Sequence, residues 1–432
     1  RVVGSNPSGR ANMKKIFNLF IYVAVIIYSV EILLFIFSSD LQKSLVNIKG
    51  KRIEIAKERN INYDSRDPEI VFFEKKKEIK DLSVPFYYSS LFADFEAFKQ
   101  AKEKKQIIPF RGPINKKTLS CAEDLNYRII NNDKYGFKNT KEIAKKKFFK
   151  AIAIGDSFTE GMGVDTNKTY PSLLSDEGIL TYNLGVQGYS LSQSLGTLKM
   201  FSDNFDYEYI LLNYCMGTHY YRDKIIKKYS QIKDKENNTE KKRFSGGIWS
   251  FDTEDHKPEV RDQAYYVTSG IWLATSFVRQ SIKNLFQKKI EVTNPKFKPY
   301  TNWFIDIEKK ISSINLNEFS LIEKPFLELN KFALKNNKKL IVIFHDYRGI
   351  SYYEKATGKK LPNDTFDELN YLEKFFKKNN IILVNFSKIA KDYVDGLTAD
   401  EIEKKLPYLE IDGHFNEIGY GLLVQELKKI IN

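Results

Sequence analysis

Short apolar runs alternating with amphipathic stretches predict an α/β fold, a doubly wound parallel sheet of about five strands. The first run, "FFKAIAIG", feeds directly into Gly155-Asp156-Ser157. That is the carboxyl end of a strand, where open α/β sheets bind their ligands. A loop carrying Asp412 and His414 stands immediately before the last helical stretch, "EIGYGLLVQELKKII".

Taken in order, the chain has an apolar run first, at residues 16–37, with Glu31 its only charge. At helical rise it spans about 30 Å, a bilayer's hydrocarbon thickness, and predicts a single-pass transmembrane anchor. A cleaved signal peptide fits less well, because the run is long and no small-residue cleavage site follows. A buried soluble helix is the remaining alternative. Arg1, Arg10, Lys14 and Lys15 precede the run, and Lys43, Lys49, Lys51 and Arg52 follow it. The positive-inside count is nearly balanced; Lys14 and Lys15 abut the run, so the body is expected outside the cytoplasm, a periplasmic placement. Residues 40–147 are rich in charge and predict a stalk with an N-terminal extension, in which "LNYRIINNDKYGFKNT" (125–140) alternates like an edge strand.

The alternating domain occupies 148–219 and 321–432. Strands are expected at "FFKAIAIG", "ILTYNLG", "YEYILLNYC", "KLIVIFH" and "IILVNFS", with helices through "YPSLLSD", "SQSLGTLKMFSD", "PFLELNKFALKNN" and "FDELNYLEKFFKKNN". Such a series reads as one flavodoxin-like sheet with right-handed crossovers. Residues 220–320 interrupt it as an insertion of about a hundred residues. They carry Trp249, Trp272 and Trp303, which suit either the core of a small lid or stacking on sugar rings.

Composition narrows the classes. The net charge is +14, from 69 Lys and Arg against 55 Asp and Glu. A basic balance raises nucleic acid or anionic lipid as partners, but the lysines sit in scattered clusters mixed with acids, such as "FFEKKKEIK". No zinc-finger spacing or RNA-recognition signature accompanies them, so no nucleic-acid partner is expected. Cys121 and Cys215 form no metal-type pair or disulfide framework. His219, His256, His345 and His414 are too dispersed for a metal site. Neither metal nor cofactor is expected.

"GDSFTEG" (155–161) has two readings: a capped strand-to-helix turn, or a displayed nucleophile. "LEIDGHFNEIGY" (409–420) favours the second. A histidine serves as base when a carboxylate holds its other ring nitrogen, and His414 and Asp412 come on one loop, with Asn416 placed to cap the final helix. With these segments in view, the chain resembles the SGNH (GDSL-like) hydrolases and acyltransferases, over 148–219 and from about residue 322 onward. The resemblance implies Ser157 as nucleophile, His414 as base and Asp412 as its orienting acid. "YNLGVQGYSLSQSL" resembles the second block of the family. It implies that the amides of Ser157 and Gly188 line an oxyanion hole, with Gly185 serving the turn.

Two departures stand out. Where the family's third block places asparagine after glycine, this chain has Gly217-Thr218-His219, so Thr218 is the candidate third donor. Losing an oxyanion donor costs about 3 kcal/mol of transition-state stabilisation. Asp412 and His414 are also separated by one residue rather than two, with Glu410 and Glu417 as fallback acids. His219 suits a substrate contact or a polar cleft residue, and His345 ends a strand on the site edge. The expected function is a serine ester hydrolase or O-acyltransferase acting on an extracytoplasmic, carbohydrate-linked acyl ester. The alternative is a membrane-anchored accessory or binding protein of weak or absent activity.

Overall fold

In the computed structural model, the described residues are 112–120, 126–217, 320–346, 349–363, 365–409 and 413–431, most of 53–83, and positions 18, 22, 25, 29, 249–250, 259–260, 292 and 297. The chain divides into two compact units, one of Arg1–Glu58 with Asp262–Lys289, the other of Arg59–Arg261 with Ile290–Asn432. In the first unit Asn18, Tyr22, Val25 and Ser29 are helical and exposed. Most of 16–37 lies outside the described residues, and among those described no helix is long and apolar enough to cross a membrane.

The second unit opens with the helix Pro68–Glu78 and a small sheet of β1 (Leu82–Ser83), β2 (Lys117–Ser120) and β3 (Arg128–Asn131). β1 is parallel to β2, and β2 is antiparallel to β3, which lies at the sheet edge. The main sheet holds β4 (Ala151–Ile154), β5 (Thr181–Asn183), β6 (Tyr209–Cys215), β9 (Lys339–His345) and β10 (Ile382–Asn385). Its order is β10-β9-β6-β4-β5, parallel throughout. Counted within this sheet, the order is 2-1-3-4-5, so the direction of winding reverses between β4 and β6. Of the predicted insertion β7 (Trp249–Ser250), β8 (Glu259–Val260), Val292, Phe297 and, at the start of the next helix, Ser320 are described. Phe297 is buried and stacks on Tyr352, ring centroids 5.5 Å apart.

The strands read as near-continuous apolar runs because both faces are covered. All four residues of β4 are fully buried. On one face Tyr214, beside Phe344, meets Phe326 of the helix Ser320–Lys335, and Phe326 also touches Phe376 of the helix Asp367–Lys378. The opposite face packs Tyr170–Asp176, Phe386–Gly396 and Glu417–Ile431, joined by Tyr170–Tyr420, Phe386–Phe415 and Phe415–Tyr420 ring contacts.

Local signals fix the helix starts. Thr169 caps Tyr170–Asp176 with Pro171 in the first turn. Ser190 and Gln193 form a reciprocal capping box on Leu191–Phe201, and Thr398 and Glu401 do the same on Ala399–Lys405. The helices Ile350–Thr357, Phe386–Gly396 and Ala399–Lys405 are additions to the sequence expectation.

Candidate active site

Ser157 leaves β4 through Gly155, whose φ of +147° is closed to most side chains. A Cβ there would stand 2.4 Å from Thr159 Oγ1 and 3.0 Å from the Asn213 carbonyl. Asp156 then caps the one-turn helix Ser157–Glu160 by accepting the Phe158 amide at 3.1 Å, and Gly161 closes it. Ser157 sits at the first helical position, 5% exposed. The turn is thus tight, buried and held at both ends.

His414 arrives from a different direction. Tyr408 and Phe415 form an isolated antiparallel bridge, and the Leu409 amide donates to the His414 carbonyl at 2.9 Å. Asn416 clamps this loop. Its Oδ1 accepts from the Ile418 and Gly419 amides at 3.0 and 3.1 Å, and its Nδ2 donates to the Leu406 and Tyr408 carbonyls at 2.7 and 2.9 Å. The Phe158 ring lies against the His414 ring at 4.6 Å and against His345 at 4.0 Å. Tyr420 Oη donates to the Phe158 carbonyl at 2.9 Å. The outcome is a Ser157 Oγ to His414 Nε2 distance of 2.8 Å between residues 257 apart in sequence. That is hydrogen-bonding distance, the geometry a nucleophile and its base need.

The second loop packs against the first. Asn183, at the end of β5, donates to the Thr159 carbonyl at 2.9 Å and accepts the Gly185 amide at 2.8 Å. A Cβ on Gly185 would stand 2.4 Å from the Glu160 amide nitrogen, so the two loops touch backbone to backbone. Gly188, at φ +78°, follows on this loop. Glu160 Oε2 accepts the Gln187 amide at 2.8 Å. Burial pushes the Glu160 carboxyl up, opposed by the Lys138 charge, the Gln187 amide and His414.

Several supports were invisible to sequence reasoning. Buried Lys138 donates to the Gly161 and Val164 carbonyls at 2.7 and 2.8 Å. Asn139 pairs with both backbone groups of Asn183, at 2.9 and 3.0 Å, and donates to Asp133 at 3.0 Å. Asp133 also accepts the Tyr182 hydroxyl. On the third loop, Glu368 accepts Tyr214 Oη at 2.8 Å and the Gly217 amide at 3.2 Å. Burial pushes its carboxyl up to about 7, against those two donors. Asp346, likewise pushed up to about 7 by burial, accepts the Ser351 amide and hydroxyl, and Ser351 meets Tyr408 at 2.9 Å.

Of the residues singled out in the sequence, Ser157 and His414 come together, and Gly188 lies on the neighbouring loop. Asp412, Thr218, His219 and Glu410 lie outside the described residues, as do Cys121, Trp272 and Trp303. Glu417, the other fallback acid, is at the surface and pairs with Lys168 at 3.1 Å. His345 is fully buried beneath Phe158 and Phe415. Cys215 is buried at the end of β6. Among the described residues no group of histidine, cysteine and carboxylate side chains suits a metal ion.

No family model matches the chain, and no curated protein matches it. Solved structures do. A G-D-S-L family protein from Desulfitobacterium hafniense DCB-2 is 12% identical over 66% of this chain and 100% of its own, with a TM-score of 0.32. A GDSL-like lipase from Bacteroides thetaiotaomicron VPI-5482 is 13% identical over 79% and 98%, with a TM-score of 0.30. A Geobacillus acetyl-xylooligosaccharide esterase variant is 10% identical over 67% and 96%, with a TM-score of 0.33. Two of these three solved structures are described as GDSL proteins. At these TM-scores the likeness is loose, and the reading of the site rests on its own geometry.

Proposed function

We propose that this protein is a serine ester hydrolase or O-acyltransferase in which Ser157 attacks an acyl ester and His414 takes its proton. The observation that carries this is the 2.8 Å approach of Ser157 Oγ to His414 Nε2. In the proposed cycle Ser157 adds to the ester carbonyl, and the alcohol leaves with the proton held by His414. Water or a second hydroxyl then resolves the acyl-enzyme by the reverse proton path. Asp412, one residue before Gly413 on the same loop, is the orienting acid in this reading. The amides of Ser157 and Gly188, with the Thr218 hydroxyl, are the proposed oxyanion donors. The Gly185 amide is already given to Asn183, which favours Gly188. The apolar run at 16–37 supports a single-pass anchor, Lys14 and Lys15 beside it support a catalytic domain outside the cytoplasm, and the carbohydrate-linked ester follows from that placement together with the family resemblance.

Thr218 in the asparagine position favours one second reading, an accessory protein with a weakened oxyanion hole. The full chain and its Ser157→Ala variant, tested on p-nitrophenyl acetate and with a fluorophosphonate label, separate the two. The esterase reading expects labelling confined to the parent and hydrolysis reduced by about a thousandfold or more in the variant. An unlabelled, inactive parent overturns it in favour of the accessory reading.

A further inference from the structure

A cleft opens where the small N-terminal sheet meets the two loops beside Ser157. Thr118 and Asn132 line it from that sheet, Glu160 from the serine turn, and Gly185 and Gln187 from the second loop, with Lys138 beneath. Its enclosed volume is about 40 Å³. At 10–15 Å³ for a water, that is room for about three waters or a few hydroxyl groups. It seats the edge of a ligand whose remainder lies outside.

The lining mixes polar side chains with apolar ones, Leu119, Ile130, Phe137 and Met162 among them, and its charges are largely committed. Lys138 gives its ammonium to two carbonyls, 2.7 and 2.8 Å away. Glu160 keeps one oxygen on the Gln187 amide. Asn132 and Thr118 are joined at 3.4 Å, the long end of a hydrogen bond. The ligand that suits such a lining brings hydroxyl groups rather than charge: a carboxylate accepts from them, and the carboxamide and hydroxyl give and accept. An anionic ligand would meet the Glu160 carboxylate with the one cation in the lining engaged elsewhere. The cleft is also next to the chemistry. Glu160 lies in the same helical turn as Ser157, whose Oγ is 2.8 Å from His414 Nε2.

We infer that this cleft is a subsite for an uncharged polyhydroxyl unit, a neutral sugar residue. Its link to catalysis rests on the esterase reading, whereas the binding does not. The test is calorimetric titration of the full chain with unacylated xylotriose and, separately, with trigalacturonate. It is run in the parent, in Ser157→Ala, and in Thr118→Val, Asn132→Ala and Glu160→Gln, with circular dichroism to confirm that each variant folds. The expected result is xylotriose binding in the parent and in Ser157→Ala, weakened about tenfold by each cleft substitution that removes a hydrogen bond. Trigalacturonate is expected not to bind. Absent xylotriose binding, binding that folded cleft variants leave intact, or equal binding of trigalacturonate overturns the subsite. Xylotriose binding without fluorophosphonate labelling of Ser157 would sink the esterase reading and leave the subsite standing; labelling without binding would do the reverse.

Discussion

The turn that carries Ser157 is braced from outside its own sheet, directly by Lys138 and, through Asn183, by Asn139; both follow β3 of the N-terminal sheet. The loop that carries His414 is braced from within, by Asn416 two residues on and by the rings of Phe158 and Phe415. On the serine side the load is spread over many buried polar contacts. On the histidine side a single side chain makes four of them. A distributed support resists any one substitution, and a concentrated one fails at a point. The N-terminal extension is therefore part of the site's framework and not only a spacer before it.

The comparison is broken most severely at Gly155. Replacement by valine adds left-handed strain and overpacking against Thr159 and Asn213, together about 4 kcal/mol. The expected outcome is loss of cooperative thermal unfolding along with esterase activity; a folded Gly155→Val protein would show that the turn is not held as tightly as described.

Glu368 tests a third support, beneath Gly217. Its carboxyl holds a proton more tightly folded than unfolded, so its contribution is largest below pH 4.5. The contribution declines as pH rises to about 7 and is flat above. Glu368→Gln should flatten that decline by up to about 3 kcal/mol. Denaturant midpoints at pH 5 and pH 8, in parent and variant, measure it, and an unchanged difference counts against the buried carboxyl.

Asn139→Ala and Asn416→Ala then set the two sides against each other. The first should cost about 3 kcal/mol in stability, because it orphans both backbone groups of Asn183, with kcat falling less than stability suggests. The second should cost about 2 kcal/mol, from a lost cap and two carbonyl contacts, with the larger fall in kcat. Urea unfolding alongside p-nitrophenyl acetate kinetics gives both numbers, and the opposite ranking in kcat would refute the contrast. The smallest effect sharpens it: the stability losses of the double variant should add to within about 0.5 kcal/mol. A larger coupling means the two supports are one.

The five strands of the main sheet were legible because each is an unbroken apolar run, and a strand covered on both faces needs no alternation. Ser157, His414 and the Asn416 cap were legible because their partners are local or come in recognisable blocks. Lys138 was not, since a lysine among lysines reads as solvated. Its two acceptor carbonyls line up only once the turn at 161–164 exists. Glu368 was equally hidden, because its partner Tyr214 lies 154 residues away. The two-residue parallel pairing of β1 with β2 leaves no periodic trace at all.

The separation of 257 residues between Ser157 and His414 has a consequence in time. At a synthesis rate of about 5–20 residues per second, the serine leaves the ribosome roughly ten to fifty seconds before its base. On the proposed esterase reading, Ser157 is during that interval an ordinary alcohol, without the group that would take its proton. The helix Glu417–Ile431, which packs against Tyr170–Asp176, carries His414 into place. On that reading, completion of the fold is the event that arms the molecule.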